Sequence, residues 1–261
     1  MQQDETGANE SGMANILTNG SGAYPYPVAE FGPCETLGTS SPPANHSPLL
    51  LPMPSSLFRY RVLKRAGDLL LAAVAMPFLL PVLLLLALVV KMTSPGPIFF
   101  SHRRIGKGGT FFSMWKFRTM CVNSSEVLER YLAAHPEARV EWNRSHKLQN
   151  DPRVTSVGRT MRRLSLDELP QIWNVITGRM SLVGPRPIVA AEVEKYAECI
   201  QCYMRVTPGV TGLWQVSGRS KLRYDERVKL DCEYVKQWSL MRDLKILALT
   251  VKSVVNQDGA Y

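Results

Sequence analysis

The first 55 residues contain no lysine and no arginine, although the chain carries 31 of them. That stretch holds Asp4, Glu5, Glu10, Glu30 and Glu35 among Gly, Ser, Pro and Asn, with little apolar periodicity. Such a composition cannot bury enough surface to offset the entropy of ordering, so residues 1–55 are expected to form a disordered acidic tail. The other 206 residues therefore hold every Lys and Arg against 17 acidic groups. So basic a body calls for an anionic partner: nucleic acid, anionic lipid or a phosphorylated substrate. Cysteine is scarce as well, and an odd count of five argues against a disulfide framework. Cys199 and Cys202 form a lone C-x-x-C. Without a second pair or a His partner it reads as two cysteines sharing a helix rather than a zinc or redox site. The sequence also lacks a phosphate loop of the Walker type. Around "GKGG", Ser101 stands where the first glycine should be, and no Ser or Thr follows Lys107.

Residues 69–90, "LLLAAVAMPFLLPVLLLLALVV", lack charge altogether. At ~1.5 Å per residue such a helix could cross a hydrocarbon core ~30 Å thick. A buried core helix is a poor alternative, because every face of the segment is apolar. Arg59, Arg61, Lys64 and Arg65 precede it, and Lys91, Arg103, Arg104 and Lys107 follow. Positive charge favours the cytoplasmic side, and here both flanks claim it. Pro77 and Pro81 each remove a backbone hydrogen bond in mid-segment and invite a bend. A re-entrant helix that enters and leaves on one side satisfies both observations; a spanning helix stays open.

The chain after this segment reads as mixed helix and strand. "PIFFSHRRIGKGGTFFSMWKFRTM" predicts two aromatic-rich strands around a turn at Gly106 to Gly109. Residues 124–147 predict polar helix. Residues 239–255 predict an amphipathic helix with Leu240, Leu244, Leu247, Val251 and Val254 on one side, packed on the core or lying on a bilayer.

Within "RRLSLDELPQ", Asp167 and Glu168 sit two residues before Pro170 and just after Arg162 and Arg163. Ser165 with Glu168 fits a capping box, and Leu166, Leu169, Ile172, Trp173 and Ile176 continue at helical spacing to a stop at Gly178. A helix start is also a ready anion site. Arg186 between Pro185 and Pro187 rides a stiff backbone suited to bidentate phosphate contact, and Lys116, Arg118 and Arg219 add further cations. Carboxylates among so many cations fit a magnesium diphosphate site, in which Mg2+ takes one or two carboxylates plus phosphate oxygens. A carboxylate facing arginines is expected to be ionised.

"KFRTM", "SLDELPQIWNVITGRMSLVGPRP" and "TPGVTGLWQVSGR" resemble, in order and spacing, the signature blocks of the bacterial sugar transferase family. These are the monotopic polyprenol-phosphate phosphoglycosyl transferases, and the likeness runs from about Arg59 to Tyr261, closest to the small exopolysaccharide-initiating type. The resemblance implies a re-entrant membrane helix followed by a small cytosolic α/β catalytic domain with interfacial amphipathic helices. The expected division is 1–55 tail, 56–95 membrane helix and flanks, 96–261 transferase domain. It implies transfer of a sugar 1-phosphate, a hexose such as galactose or glucose, from a UDP-sugar to polyprenol (undecaprenyl) phosphate with release of UMP. This would be a first membrane step of exopolysaccharide synthesis, at the cytoplasmic face of a bacterial inner membrane. Lipid bilayer and downstream glycosyltransferases are the implied partners, and nucleic acid is not among them.

Carried over by position, Asp167 matches the family's nucleophile and Glu168 its partner carboxylate, both also candidate Mg2+ ligands. Arg162, Arg186 and Arg219 match its phosphate-binding arginines, with Lys116 and Arg118 nearby. Pro81 matches its helix-breaking proline, but Leu80 stands where the family commonly has serine, so no hydroxyl is offered to a freed carbonyl in lipid. Two other classes compete with a transferase. A membrane CDP-alcohol phosphotransferase would need several spans where this chain has one, and a basic docking module leaves the acidic pair unexplained.

Overall fold

The apolar run folds as the greater part of one helix, α1 (Leu57–Thr93), with Pro77 and Pro81 both inside it. The computed structural model describes residues 57–145, 148–218 and 222–255, so the expected acidic tail lies outside the described residues. The described part belongs to a single unit, Asn45–Tyr261. Val62–Thr93 is long and apolar enough to cross a membrane. Leu70, Val74, Phe78, Leu84 and Leu88 on it stay exposed, as suits a helix whose surroundings are hydrocarbon.

Antiparallel strands β1 (Phe99–Ile105) and β2 (Phe111–Phe117) follow as a hairpin. Its turn passes through Gly108 and Gly109, both at positive φ, which only glycine adopts without strain. Alternation turns Phe112, Met114 and Lys116 to one face of β2, and the register sets Phe100 opposite Lys116, His102 opposite Met114 and Arg104 opposite Phe112. Helices α2 (Ser124–Ala134) and α3 (Pro136–Ser145) make up the polar segment. Helix α4 (Ser156–Arg163), capped by the Thr155 hydroxyl on the Gly158 N–H, leads into the acidic pair. Then come α5 (Gln171–Ile176), strand β3 (Ser181–Val183), α6 (Val193–Tyr196), α7 (Ile200–Arg205) and strand β4 (Gly209–Thr211). Helices α8 (Leu213–Ser217), α9 (Tyr224–Lys236) and α10 (Leu240–Val255) close the chain.

β3 and β4 pair in parallel, Ser181 with Gly209 and Val183 with Thr211. Beyond the pair the backbones come unusually close. A Cβ on Gly184 would stand 2.8 Å from the Gly209 amide nitrogen, and one on Gly209 would run into the Gly184 backbone. Both glycines are needed because backbone, not a flexible side chain, fills the space. Gly209→Ala is therefore expected to destabilise the domain by about 1–3 kcal/mol. Gly67→Ala, whose Cβ would meet only Leu240 at 3.8 Å, should be tolerated. Denaturant melts of the two variants in nanodiscs check the contrast.

Both ends of α1 dock on this body. Near its start, Lys64 pairs with Asp243 of α10 at 2.8 Å, and Asp68 accepts the Leu182 N–H at 3.1 Å. Arg65 donates to the Val175 and Ile176 carbonyls at the end of α5, where a helix offers unsatisfied acceptors. Near the other end, Val90 is buried with Phe117 and Met161, and Leu83, Leu86 and Ala87 pack against them.

α10 divides its apolar side between the core, where Leu247 packs, and the surface. Asp243 and Ile246 are buried, whereas Leu240, Leu244 and Val251 stay exposed. The helix is turned so that Asp243 meets Lys64, the Tyr234 hydroxyl at 2.7 Å and the Trp238 Nε1 at 3.0 Å. Asp243 is thus buried as a fully paired charge.

Candidate active site

α4 ends at Arg163, and the chain reverses through Ser165 in the left-handed region, φ 56° and ψ 20°. A single 3-10 turn, Leu166–Glu168, then carries the acidic pair toward α5. The expected capping box does not form, because Ser165 makes no side-chain cap and the Glu168 carboxylate points elsewhere. It accepts from Lys116 Nζ at 2.6 Å, while Asp167 Oδ2 lies 4.0 Å from the same nitrogen. Lys116 is there because it shares the inward face of β2 with Phe112 and Met114. The helical spacing ends where expected, with α5 followed by Gly178 at φ 77°.

The two carboxyls are pushed in opposite directions. Burial raises the Asp167 pKa above the ordinary carboxylate range; Lys116 opposes this, and the neighbouring Glu168 charge adds to it. Burial also acts on Glu168, but the Lys116 charge and hydrogen bond, with Arg186 and Arg104, outweigh it and hold that pKa below the ordinary value. Glu168 thus keeps the negative charge of the pair and Asp167 takes the proton more readily. An Asp167 ionised outright by its arginines, as the sequence implied, is opposed by this burial.

Arg162 ends α4 with its Nε on the Thr119 hydroxyl at 2.8 Å, and its charge acts on Asp167. Arg186 lies over the Trp214 ring, 5.7 Å from its centroid, and its charge reaches Glu168. Arg118 is placed differently: its Nη2 donates to the Ser94 carbonyl at 2.7 Å, just past α1, and its Nε and Nη1 are buried without a partner. That is the position of a cap on the end of the membrane helix. Arg219 lies outside the described residues. The fold therefore gathers Asp167, Glu168, Lys116, Arg162 and Arg186, and sets Arg118 apart from them.

A profile of the bacterial sugar transferase family matches residues 59–257. The chain belongs to that family. It is 48% identical over 83% of its length to a UDP-galactose-lipid carrier transferase of Erwinia amylovora. It is 47% identical, over the same share, to an undecaprenyl-phosphate galactose phosphotransferase of Salmonella typhimurium. The chain spans 46% of the length of each of these relatives. The exopolysaccharide production protein ExoY of Rhizobium meliloti is 48% identical over 76% of this chain and 88% of its own.

In this member of the family the acidic pair offers oxygen donors of the kind Mg2+ prefers. No cluster of three or more His, Cys, Asp or Glu side chains that could hold a metal occurs among the described residues. Two carboxylates completed by phosphate oxygens nevertheless form an adequate set for that ion, so the residues fit. The C-x-x-C pair gives no such site. Cys199 and Cys202 are free thiols beside Cys232 of α9, whose own thiol is pushed up chiefly by burial.

Residues not anticipated at the site include His102 and Arg104 on β1 and Asp231 on α9. Asp231 is buried, accepts from the Tyr196 hydroxyl at 2.8 Å, and is raised by burial to about 7 while the Arg186 amide and charge pull it down. Strand alternation from Lys116 across the hairpin was the available signal for His102 and Arg104. Nothing local marked Asp231, which reads as one more polar residue of a helix.

Proposed function

We propose that this chain transfers a hexose 1-phosphate from a UDP-sugar to polyprenol phosphate, releasing UMP, at the cytoplasmic face of a bacterial inner membrane. The observation that carries the reading is the acidic pair, Asp167 buried and Glu168 half-buried, beside Lys116, Arg162 and Arg186 in a body anchored by an apolar helix. The relatives' names point to galactose and to undecaprenyl phosphate, which makes this a first membrane step of exopolysaccharide synthesis. The direct test is UMP release with undecaprenyl phosphate and a panel of UDP-sugars. Turnover with UDP-galactose or UDP-glucose is expected, and none with any UDP-sugar would refute the reading.

An Asp167 oxygen attacks the sugar-linked phosphorus, the bond to the UMP oxygen breaks, and UMP leaves with the electron pair. A phosphate oxygen of the polyprenol then attacks the same phosphorus and expels the Asp167 carboxylate, giving a polyprenol diphosphate sugar. The acceptor phosphate is already anionic near neutral pH, so a nucleophile matters more here than a general base. Lys116 holds Glu168 ionised, while Arg162 and Arg186 neutralise charge that develops on the phosphoryl oxygens. Mg2+ held by Asp167 and Glu168 would supply further neutralisation of phosphate charge.

The helix is read as re-entrant, with 56–95 forming the membrane segment and 96–261 the transferase domain. Support comes from its two ends, which dock on the same body through Lys64 and Asp68 at one end and Val90 at the other. Phe78 and Leu80 beside the prolines stay exposed. The outward leucines of α10 and the exposed Trp173 suit contact with the interface. Cysteine labels placed near residue 60 and near residue 100 are expected to react only from the cytoplasmic side. Labelling of either one from the periplasm in intact cells would show a spanning helix instead.

A further inference from the structure

We propose that Arg104 is a second guanidinium arm for the donor's diphosphate, acting beside Arg186. The inference deepens the transferase reading and rests on it. The backbone fixes where Arg104 stands: the Ile105 N–H bonds the Ile188 carbonyl at 2.9 Å, zipping the end of β1 to the segment just past Arg186. Its own Nη1 donates to the Pro187 carbonyl at 3.2 Å, so the side chain reaches the Pro185-Arg186-Pro187 turn itself.

The charge on Arg104 is poorly matched. Its side chain is 14% exposed, and the nearest carboxylate, Glu192, is 3.8 Å away. That Glu192 oxygen already accepts the Val189 N–H at 3.0 Å. The Arg104 Nε is buried with no partner. Burial and then the Arg186 charge lower the Arg104 pKa, which places the two guanidinium groups within each other's field. Both also act on Glu168. The neighbouring imidazole of His102 reports the same field, drawn down to about 4 by burial, then by Arg104 and Lys116.

Two guanidiniums that feel each other's charge repel, and an anion bound by both relieves that repulsion. A diphosphate supplies the required charge, and its oxygens match the planar forks of both groups. A purely structural Arg104, serving only to hold Pro187, would support every ligand of the site alike.

The test measures UDP and UMP binding to the full chain in nanodiscs, for the native protein, Arg104→Gln and Arg104→Lys. Arg104→Gln is expected to weaken UDP by at least about tenfold and UMP by less than about threefold. Arg104→Lys, which keeps the charge and loses the fork, should fall between the native protein and Arg104→Gln for UDP. Should the glutamine variant not fold, the lysine variant alone is judged by the same contrast between ligands. Unchanged UDP affinity, or equal weakening of UDP and UMP, would overturn the assignment of Arg104. Native protein that binds no UDP would instead overturn the transferase reading beneath it.

Discussion

Asp167→Asn is expected to reduce turnover at least ~1,000-fold, because the amide cannot form the acyl phosphate on which the two-step route depends. The side chain is nearly isosteric, so the 3-10 turn Leu166–Glu168 and the Lys116–Glu168 bond should remain. Membrane insertion and UDP binding should accordingly be close to native. Glu168→Gln should behave differently. It releases Lys116 from its bond and weakens the site's charge balance, slowing both half-reactions while leaving attachment at Asp167. Steady-state rates for the two variants, with UDP binding as the control for folding, separate the roles. Comparable losses in both, with attachment absent from both, would reduce the pair to a shared structural or metal-binding unit.

Lys116→Met should carry the next largest effect, a loss of about 100-fold near neutral pH, because it strands a buried and a half-buried carboxyl without their shared cation. The sign follows from what Lys116 does. It lowers the pKa of both Asp167 and Glu168. Without it both carboxyls hold their protons to higher pH, so the acid limb of kcat/KM should move upward. The loss should be deepest at low pH and shrink as pH rises through the shifted values. pH–rate profiles of the native chain and Lys116→Met give the comparison. An acid limb in the same place, with only its height reduced, would show that Lys116 acts on the phosphate and not through the pair.

The residues gathered around Asp167 and Glu168 carry marks in the sequence. Lys116 lies in the "KFRTM" block, Arg162 directly precedes the acidic pair, and Arg186 sits between two prolines. Four features escaped for physical reasons. Ser165 adopts a left-handed backbone that a non-glycine residue rarely takes, so S-x-x-E reads as a cap although none forms. α10 buries Asp243 against Lys64, a partner far away in sequence, so no local pattern marks that burial. Strand alternation puts Arg104 on the Lys116 face, but its approach to the Pro185-Arg186-Pro187 turn depends on the Ile105–Ile188 bridge between distant segments. Arg118, adjacent in sequence to the site, reads as part of it until the end of α1 is seen to take its guanidinium.

The covalent intermediate is tested most directly by mixing the full chain with UDP-sugar and Mg2+ alone, omitting polyprenol phosphate, and quenching rapidly for intact-protein mass spectrometry. The expected result is up to one UMP per active enzyme and a sugar phosphate attached at Asp167, both abolished in Asp167→Asn. Enzyme that turns over normally once acceptor is added, yet shows neither adduct nor UMP burst without it, would contradict the aspartyl route and leave a single displacement.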